Sequence, residues 1–210
     1  MKNYHGTRLA YDNRRHVLWK ILCEHYFQRL VGPEDCVLEL GASYGDFVNH
    51  IRCRRRIAVD RWEGMLEHLQ SGVEGHVGTV TDLSAIQDAS VDFVFASNLV
   101  EHLPQSEFAE TLKGLRTKMK PGASLNIVQP NYRFAYREYF DDYTHISVYS
   151  DRSLADFLEV NGFRVTEVHP RFLPLTIKSR LPVSAPLIRL YLALPFKPLG
   201  KQMFIRAVRP

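Results

Sequence analysis

Apolar residues recur along this chain in two rhythms. Residues 16–31 place Val17, Ile21 and Phe27 with Leu18, Leu22 and Leu30 at helical spacing, behind Asp12 or Asn13 as N-cap. The helix expected there extends over 14–31. Short runs rich in β-branched and aromatic residues then predict strands at 36–40, 56–60, 75–80, 91–97, 124–128, 163–168 and 202–208. Between them, helices are expected over 46–52, 63–70 and 151–160. Another starts at Pro104, carries Phe108, Leu112, Leu115 and Met119 on one stripe and stops at Lys120-Pro121-Gly122. Ser150 is placed to cap the 151–160 helix, and Asn161-Gly162 to end it. Strands alternating with helices predict an α/β fold, a mostly parallel sheet covered on both faces. Two segments interrupt the alternation: an aromatic-rich loop over 129–149 and a proline-rich insertion over 170–200. Long irregular segments in compact domains are usually functional.

Length and composition narrow the class without changing that picture. The 210 residues are 45% hydrophobic and 24% charged, so one domain with a sizeable core needs no disulfide or metal staple. Cys23, Cys36 and Cys53 are odd in number and form no CxxC pair, which argues for a reducing compartment and against a disulfide framework or a structural zinc site. The polar start MKNYHGTRLAYDNRR lacks a signal-peptide core, and no 18-residue apolar run exists. The expected location is cytoplasmic, at most peripheral to the inner membrane surface. Charge adds an asymmetry. Glu167 is the last acidic residue, and residues 168–210 carry eight lysines and arginines, leaving 19 basic against 23 acidic groups before them. A mildly acidic body with a basic tail suits an anionic partner such as a membrane surface, a phosphorylated substrate or a nucleic acid.

Candidate chemistry begins at VLELGASYGDF, where a strand meets Gly41 and Gly45 ahead of a helix. Asp60 and Asp82 end the second and third strands, where open α/β sheets bind ligands. A nicotinamide fingerprint would need glycines at 41, 43 and 46, but Ser43 and Asp46 occupy two of those places. The string Gly41-Ala42-Ser43-Tyr44-Gly45 also fits a hydrolase nucleophile elbow, although that elbow normally follows several strands and only one precedes this turn.

Taken together, the ordered motifs resemble class I S-adenosylmethionine-dependent methyltransferases over residues 35–168 and 202–208. Glu39-x-Gly41-x-Ser43-x-Gly45 is similar to their first motif, with serine replacing the middle glycine. Asp60 matches the ribose-binding acid, Asp82-Leu83 the adenine-side acid, VDFVFASNLVEHL the fourth motif and LRTKMKPGASLNIVQP the approach to the fifth strand. The resemblance implies a doubly wound, Rossmann-like, seven-stranded sheet with an antiparallel last strand. It also implies S-adenosyl-L-methionine as cofactor, held by Glu39, Gly41, Ser43, Gly45, Asp60, Asp82 and Ser97. For Asp82, helix capping is the competing role.

The acceptor side is open to several readings. The 129–149 loop brings Tyr132, Tyr136 and Tyr139 together with Arg133 and Arg137, a composition suited to a sugar, a nucleobase or a phosphorylated group. His145, with Asp142 beside it, is the first choice of general base, and His102 after the fourth strand is the second. The competing expectation is that these aromatics pack the loop and His145 caps a turn. Tyr11, Arg14 and Arg15 precede the first helix, where they either fold over the cofactor or, the favoured reading, form solvated surface. Within the insertion, residues 186–194 are expected to form a short apolar helix edged by Arg189 and lysines. Such a helix suits an interfacial membrane anchor, a lid over a long acceptor or a packed or dimer surface. The expected acceptor is a small or lipid-linked molecule, weakly favouring O-methylation. An RNA methyltransferase and a non-catalytic binding module are the alternatives, and the DNA-base signature of Asn or Asp with two prolines and an aromatic is absent.

Overall fold

A computed structural model describes residues 11–174 and 184–210. The polar segment before Tyr11 and residues 175–183 of the expected insertion lie outside the described residues. Among the described residues the elements are α1 (Asn13–His25), β1 (Cys36–Leu40), β2 (Arg55–Asp60), β3 (Val73–Val77), β4 (Val91–Ser97), α2 (Gln105–Lys118) and β5 (Met119–Pro130). They continue with a single turn, α3 (Tyr132–Ala135), then α4 (Asp151–Val160), β6 (Arg164–Pro174), α5 (Ala185–Ala193) and β7 (Gly200–Val208). The sheet has seven strands in the order β3-β2-β1-β4-β5-β7-β6. The first five run parallel, and β7 is antiparallel to both β5 and β6. The α/β class and the antiparallel last strand agree with the sequence reading.

Alternation along each strand sends successive side chains to opposite faces of the sheet. Leu38, Ile57, Val94 and Leu125 face α2 and α4, meeting Phe108, Leu112, Leu115, Leu154 and Leu158. Val37, Phe93, Phe95 and Phe204 face the other way, onto Trp19, Leu22 and Cys23 of α1 and onto Phe27, Phe47 and Phe172. Phe47 stacks on Phe95 with centroids 3.9 Å apart, and Trp19 meets Phe95 edge-on at 5.6 Å. Each such fully buried side chain contributes about 1.5–3 kcal/mol of transfer free energy.

Several boundaries differ from the sequence reading for local reasons. The expected 14–31 helix ends at His25, breaks at Tyr26 and resumes as a 3₁₀ turn over Phe27–Leu30. Asp12 is its N-cap, accepting the Arg14 N–H at 2.8 Å. In place of a helix over 46–52 the chain forms successive turns as far as His50, because the Glu39 carboxylate takes the Val48 N–H at 2.8 Å and side-chain bonds compete with a regular helix. The 63–70 helix shrinks to a 3₁₀ turn over Glu63–Glu67, since Asn49 binds the His68 carbonyl and the Gln70 N–H. β3 covers 73–77 instead of 75–80, and β5 begins as early as Met119. β6 runs on to Pro174, so strand occupies the first residues of the expected 170–200 insertion. The short apolar helix forms as α5. Ile188 and Leu192 pack on the α1 side of the sheet, while Leu187 and Leu190 remain exposed.

Candidate active site

The direction in which strands are added reverses between β1 and β4: β2 and β3 are laid down to one side of β1, and β4 and β5 to the other. Ligands bind at such a switch point, beyond the strands' carboxyl ends. A cavity of about 540 Å³ opens there. It is lined from β1 and its turn by Glu39, Gly41, Ala42, Ser43 and Asp46, and from β2 by Asp60, Arg61 and Trp62. Gly78 and Val80 border it after β3, as do Ser97 to Leu99, His102 and Leu103 after β4, and Thr144 of the long loop. Arg15 and Trp19 of α1 complete the wall.

The turn after β1 is a backbone device. Gly41 and Gly45 sit at φ +68° and +67°, in the left-handed region that side chains disfavour. A Cβ on Gly45 would come within 2.7 Å of Asn49 Nδ2, and one on Gly41 within 3.0 Å of Leu99. Ser43 also adopts a positive φ, +46°, so the residue that departs from the glycine motif keeps the glycine conformation. Asp60 holds the turn in place: one carboxylate oxygen accepts the Ser43 N–H and the other the Trp62 N–H, each at 2.8 Å. Both oxygens keep lone pairs for further donors. Glu39 is buried beneath the turn, and burial drives its pKa well above the ordinary carboxylate value despite the Val48 N–H.

Three expected cofactor residues line the cavity beside the turn: Glu39, Gly41 and Ser43. Asp60 and Ser97 join them from β2 and β4. Gly45 shapes the turn from behind without lining it. Asp82 does not reach the cavity. Its carboxylate is exposed and accepts the Ser84 N–H at 3.1 Å, the local capping contact that competes with the adenine-side reading. Arg15 is not solvated surface, since its Nε donates to Asp46 at 2.6 Å beside the cavity. Trp19, Asp46, Arg61, Trp62 and Thr144 are lining residues that sequence reasoning missed. Trp62, two residues past the Asp60 landmark, was the findable one.

The acid/base candidates come together. The turn after β4 buries Glu101, whose backbone carbonyl accepts the N–H groups of Ile146 and Ser147 at 2.9 and 3.0 Å. The Ser147 hydroxyl donates to the Leu103 carbonyl at 2.6 Å, fastening the long loop to the end of β4. His102 and His145 thereby lie with ring centroids 4.8 Å apart. Thr144 donates its hydroxyl to Asp142 at 2.6 Å and stands 3.0 Å from His102 Nδ1. His145 Nδ1 lies 2.6 Å from the Tyr139 carbonyl. Burial lowers the pKa of both imidazoles, and for His102 the neighbouring His145 lowers it further. Burial opposes ionisation of Asp142, but its bonds from Thr144 prevail and its pKa falls. Glu101, fully buried, is pushed up to about 8 by desolvation.

The five expected acceptor-binding residues do not line the cavity. Tyr139 is fully buried and donates its hydroxyl to the Ser147 carbonyl at 2.5 Å, so it is a core residue of the loop. Tyr132 packs edge-on against it, and Arg133 is spent on the buried Asp151, reaching both carboxylate oxygens at 2.9 and 3.0 Å. Tyr136 and Arg137 bond to each other at 3.2 Å on the exposed side. At the inward positions the competing expectation describes the structure: these aromatics pack a loop with little regular structure of its own.

Comparison with known proteins fixes the class. A family profile described as "Methyltransferase domain" matches residues 11–168, and the chain belongs to that family. It is a class I, S-adenosylmethionine-dependent methyltransferase. No curated protein matches the sequence. Among solved structures, a SAM-dependent methyltransferase from Archaeoglobus fulgidus is 24% identical, with TM-score 0.69 over 92% of this chain and 94% of that one. A chain of the complex between the Haloferax volcanii Trm112 methyltransferase activator and a methyltransferase is 16% identical, with TM-score 0.70 over 95% and 91%. Geranyl diphosphate C-methyltransferase from Streptomyces coelicolor A3(2), in complex with Mg²⁺, geranyl diphosphate and S-adenosyl-L-homocysteine, is 14% identical, with TM-score 0.62 over 91% and 77%. Among the described residues, no helix is long and apolar enough to cross a membrane.

Proposed function

We propose that this chain, as a single domain over residues 1–210, moves a methyl group from S-adenosylmethionine to a hydroxyl of a small or lipid-linked acceptor. The observation that carries the reading is a single cavity with two unlike ends: the glycine turn and Asp60 at one, His102 and Thr144 at the other. The residues fit the cofactor. The left-handed turn leaves room for close backbone approach, the Asp60 oxygens suit ribose hydroxyls, and Gly78 places no side chain where a flat base would lie. The cofactor supplies an activated methyl and its sulfur leaving group.

What the chain itself does is position and proton handling. The acceptor hydroxyl would sit at the His102–Thr144 wall with the histidine cluster to take its proton, and the cofactor held at the glycine turn would supply the methyl group and keep the departing bond pair on its sulfur. Asp142 supports this wall through Thr144. Lipid linkage is supported by α5 and its flank, where Leu190, Phe196 and Leu199 are exposed beside a basic tail. Phosphorylated and lipid-linked sugars are therefore the first acceptors to screen, by release of S-adenosylhomocysteine. His102→Ala should lower turnover about 10²–10⁴-fold while cofactor affinity is kept. Undiminished turnover in that variant would remove the histidine wall from the mechanism. Retention on RNA at low ionic strength, without sedimentation on anionic liposomes, would favour an RNA acceptor instead.

A further inference from the structure

Glu101 is fully exposed to neither solvent nor a hydrogen-bond donor. Its side chain is completely buried, and among the described residues both carboxylate oxygens lack a hydrogen-bond partner. An isolated buried carboxylate is costly unless a proton or a cation neutralises it. Two imidazoles adjoin it: one potential ligand atom from each of Glu101, His102 and His145 lies within 4.8 Å of the other two. The surroundings also fix which imidazole nitrogen carries the lone pair. His145 Nδ1 faces the Tyr139 carbonyl at 2.6 Å, so it carries the proton and leaves the lone pair on Nε2. His102 Nδ1 faces the Thr144 carbonyl at 3.2 Å and the Thr144 hydroxyl. That hydroxyl already donates to Asp142, so it accepts from Nδ1–H and the His102 lone pair is also on Nε2. Imidazoles whose outer N–H groups are tied to carbonyls are the usual surroundings of metal-binding histidines.

We propose that Glu101, His102 and His145 bind one divalent first-row transition metal, Zn²⁺ or Mn²⁺ by donor type, with open positions facing the cavity that His102 lines. Two nitrogens and one carboxylate are a borderline donor set that suits these ions. With bonds of about 2.0–2.2 Å, small side-chain rotations close the three groups on one ion. The proposal rests on the methyltransferase reading for its purpose. There the ion binds the acceptor oxygen and eases loss of its proton to water. The oxygen pair then bonds to the methyl carbon as the carbon–sulfur pair leaves with sulfur. With the ion in place the two histidines serve as ligands instead of accepting that proton.

The test is metal binding, measured apart from activity. Chelator-treated full-length protein is titrated calorimetrically with Zn²⁺ and with Mn²⁺, and metal content is read by mass spectrometry. One ion per chain with micromolar or tighter affinity is expected. Glu101→Gln and His145→Gln should each weaken it by more than about 100-fold, since even outer partners of metal ligands are worth 10–100-fold. Glu101→Gln keeps the shape of the buried side chain and removes its charge, so its metal-free form should melt no lower than wild type. Absence of stoichiometric binding by wild type, or wild-type affinity in both variants, overturns the site. S-adenosylhomocysteine binding, measured on the same samples, reports on the methyltransferase reading separately. If it persists without metal binding, the metal site fails alone.

Discussion

The two ends of the cavity are built by different means. The donor end is made of backbone: Gly41, Ser43 and Gly45 at positive φ, fastened by one carboxylate, Asp60, to the N–H groups of Ser43 and Trp62. The proposed acceptor end is made of side chains from segments distant in sequence. Glu101 and His102 follow β4, while Asp142, Thr144 and His145 arrive on a loop some forty residues later, fastened by bonds to the Glu101 and Leu103 carbonyls. A backbone device needs particular residues at particular spacings, so it leaves a motif. A side-chain cluster needs only that two surfaces meet, and many sequences achieve that.

Four substitutions would break or sharpen this contrast. The largest effect is expected for Tyr139→Ala. It removes the buried ring on which the long loop packs and should cost about 3–5 kcal/mol, read by denaturant unfolding. A loss near zero would mean the acceptor loop is not held by its aromatic core. Next, Asp60→Ala removes the acceptor of two turn N–H groups and the proposed ribose partner. Charge-assisted hydrogen bonds contribute about 1.5–3 kcal/mol each, so S-adenosylhomocysteine affinity should drop at least about 100-fold by calorimetry. Wild-type affinity there would refute the ribose assignment. A smaller gain is expected from Ser43→Gly. A left-handed conformation costs a side chain about 1–2 kcal/mol, so the melting temperature should rise with cofactor affinity kept. A destabilised variant would show that the serine side chain is needed in the turn. Smallest of all, Tyr136→Ala on the exposed side of the loop should shift stability by no more than about 0.5 kcal/mol and leave turnover intact. A large loss of turnover would restore the outer aromatics to acceptor binding.

The same contrast explains what was legible beforehand. Strand positions, the glycine turn and Asp60 could be read because alternation, φ > 0 and strand-end acids are local signatures. Helix 46–52 was misread because Glu39 and Asn49 take hydrogen bonds that a regular helix or its neighbour would use, and no local pattern announces that competition. Arg15 read as surface and Trp19 carried no assignment, yet both line the cavity, because only the packing of α1 on the sheet decides which face of α1 meets it. Tyr139 and Arg133 carried the composition of a binding loop, but the fold uses them to pack and neutralise that loop.

By itself, then, the sequence determined the α/β alternation, the switch-point turn with its strand-end acid, and with them the methyltransferase class. Each rests on backbone geometry that a short run of residues encodes. Only the tertiary structure decided that Asp82 caps its own turn, that the aromatic loop buries its tyrosine inward, and that Glu101, His102 and His145 converge. Those outcomes depend on burial and on contacts between segments far apart in the chain, and burial is a property of the folded whole.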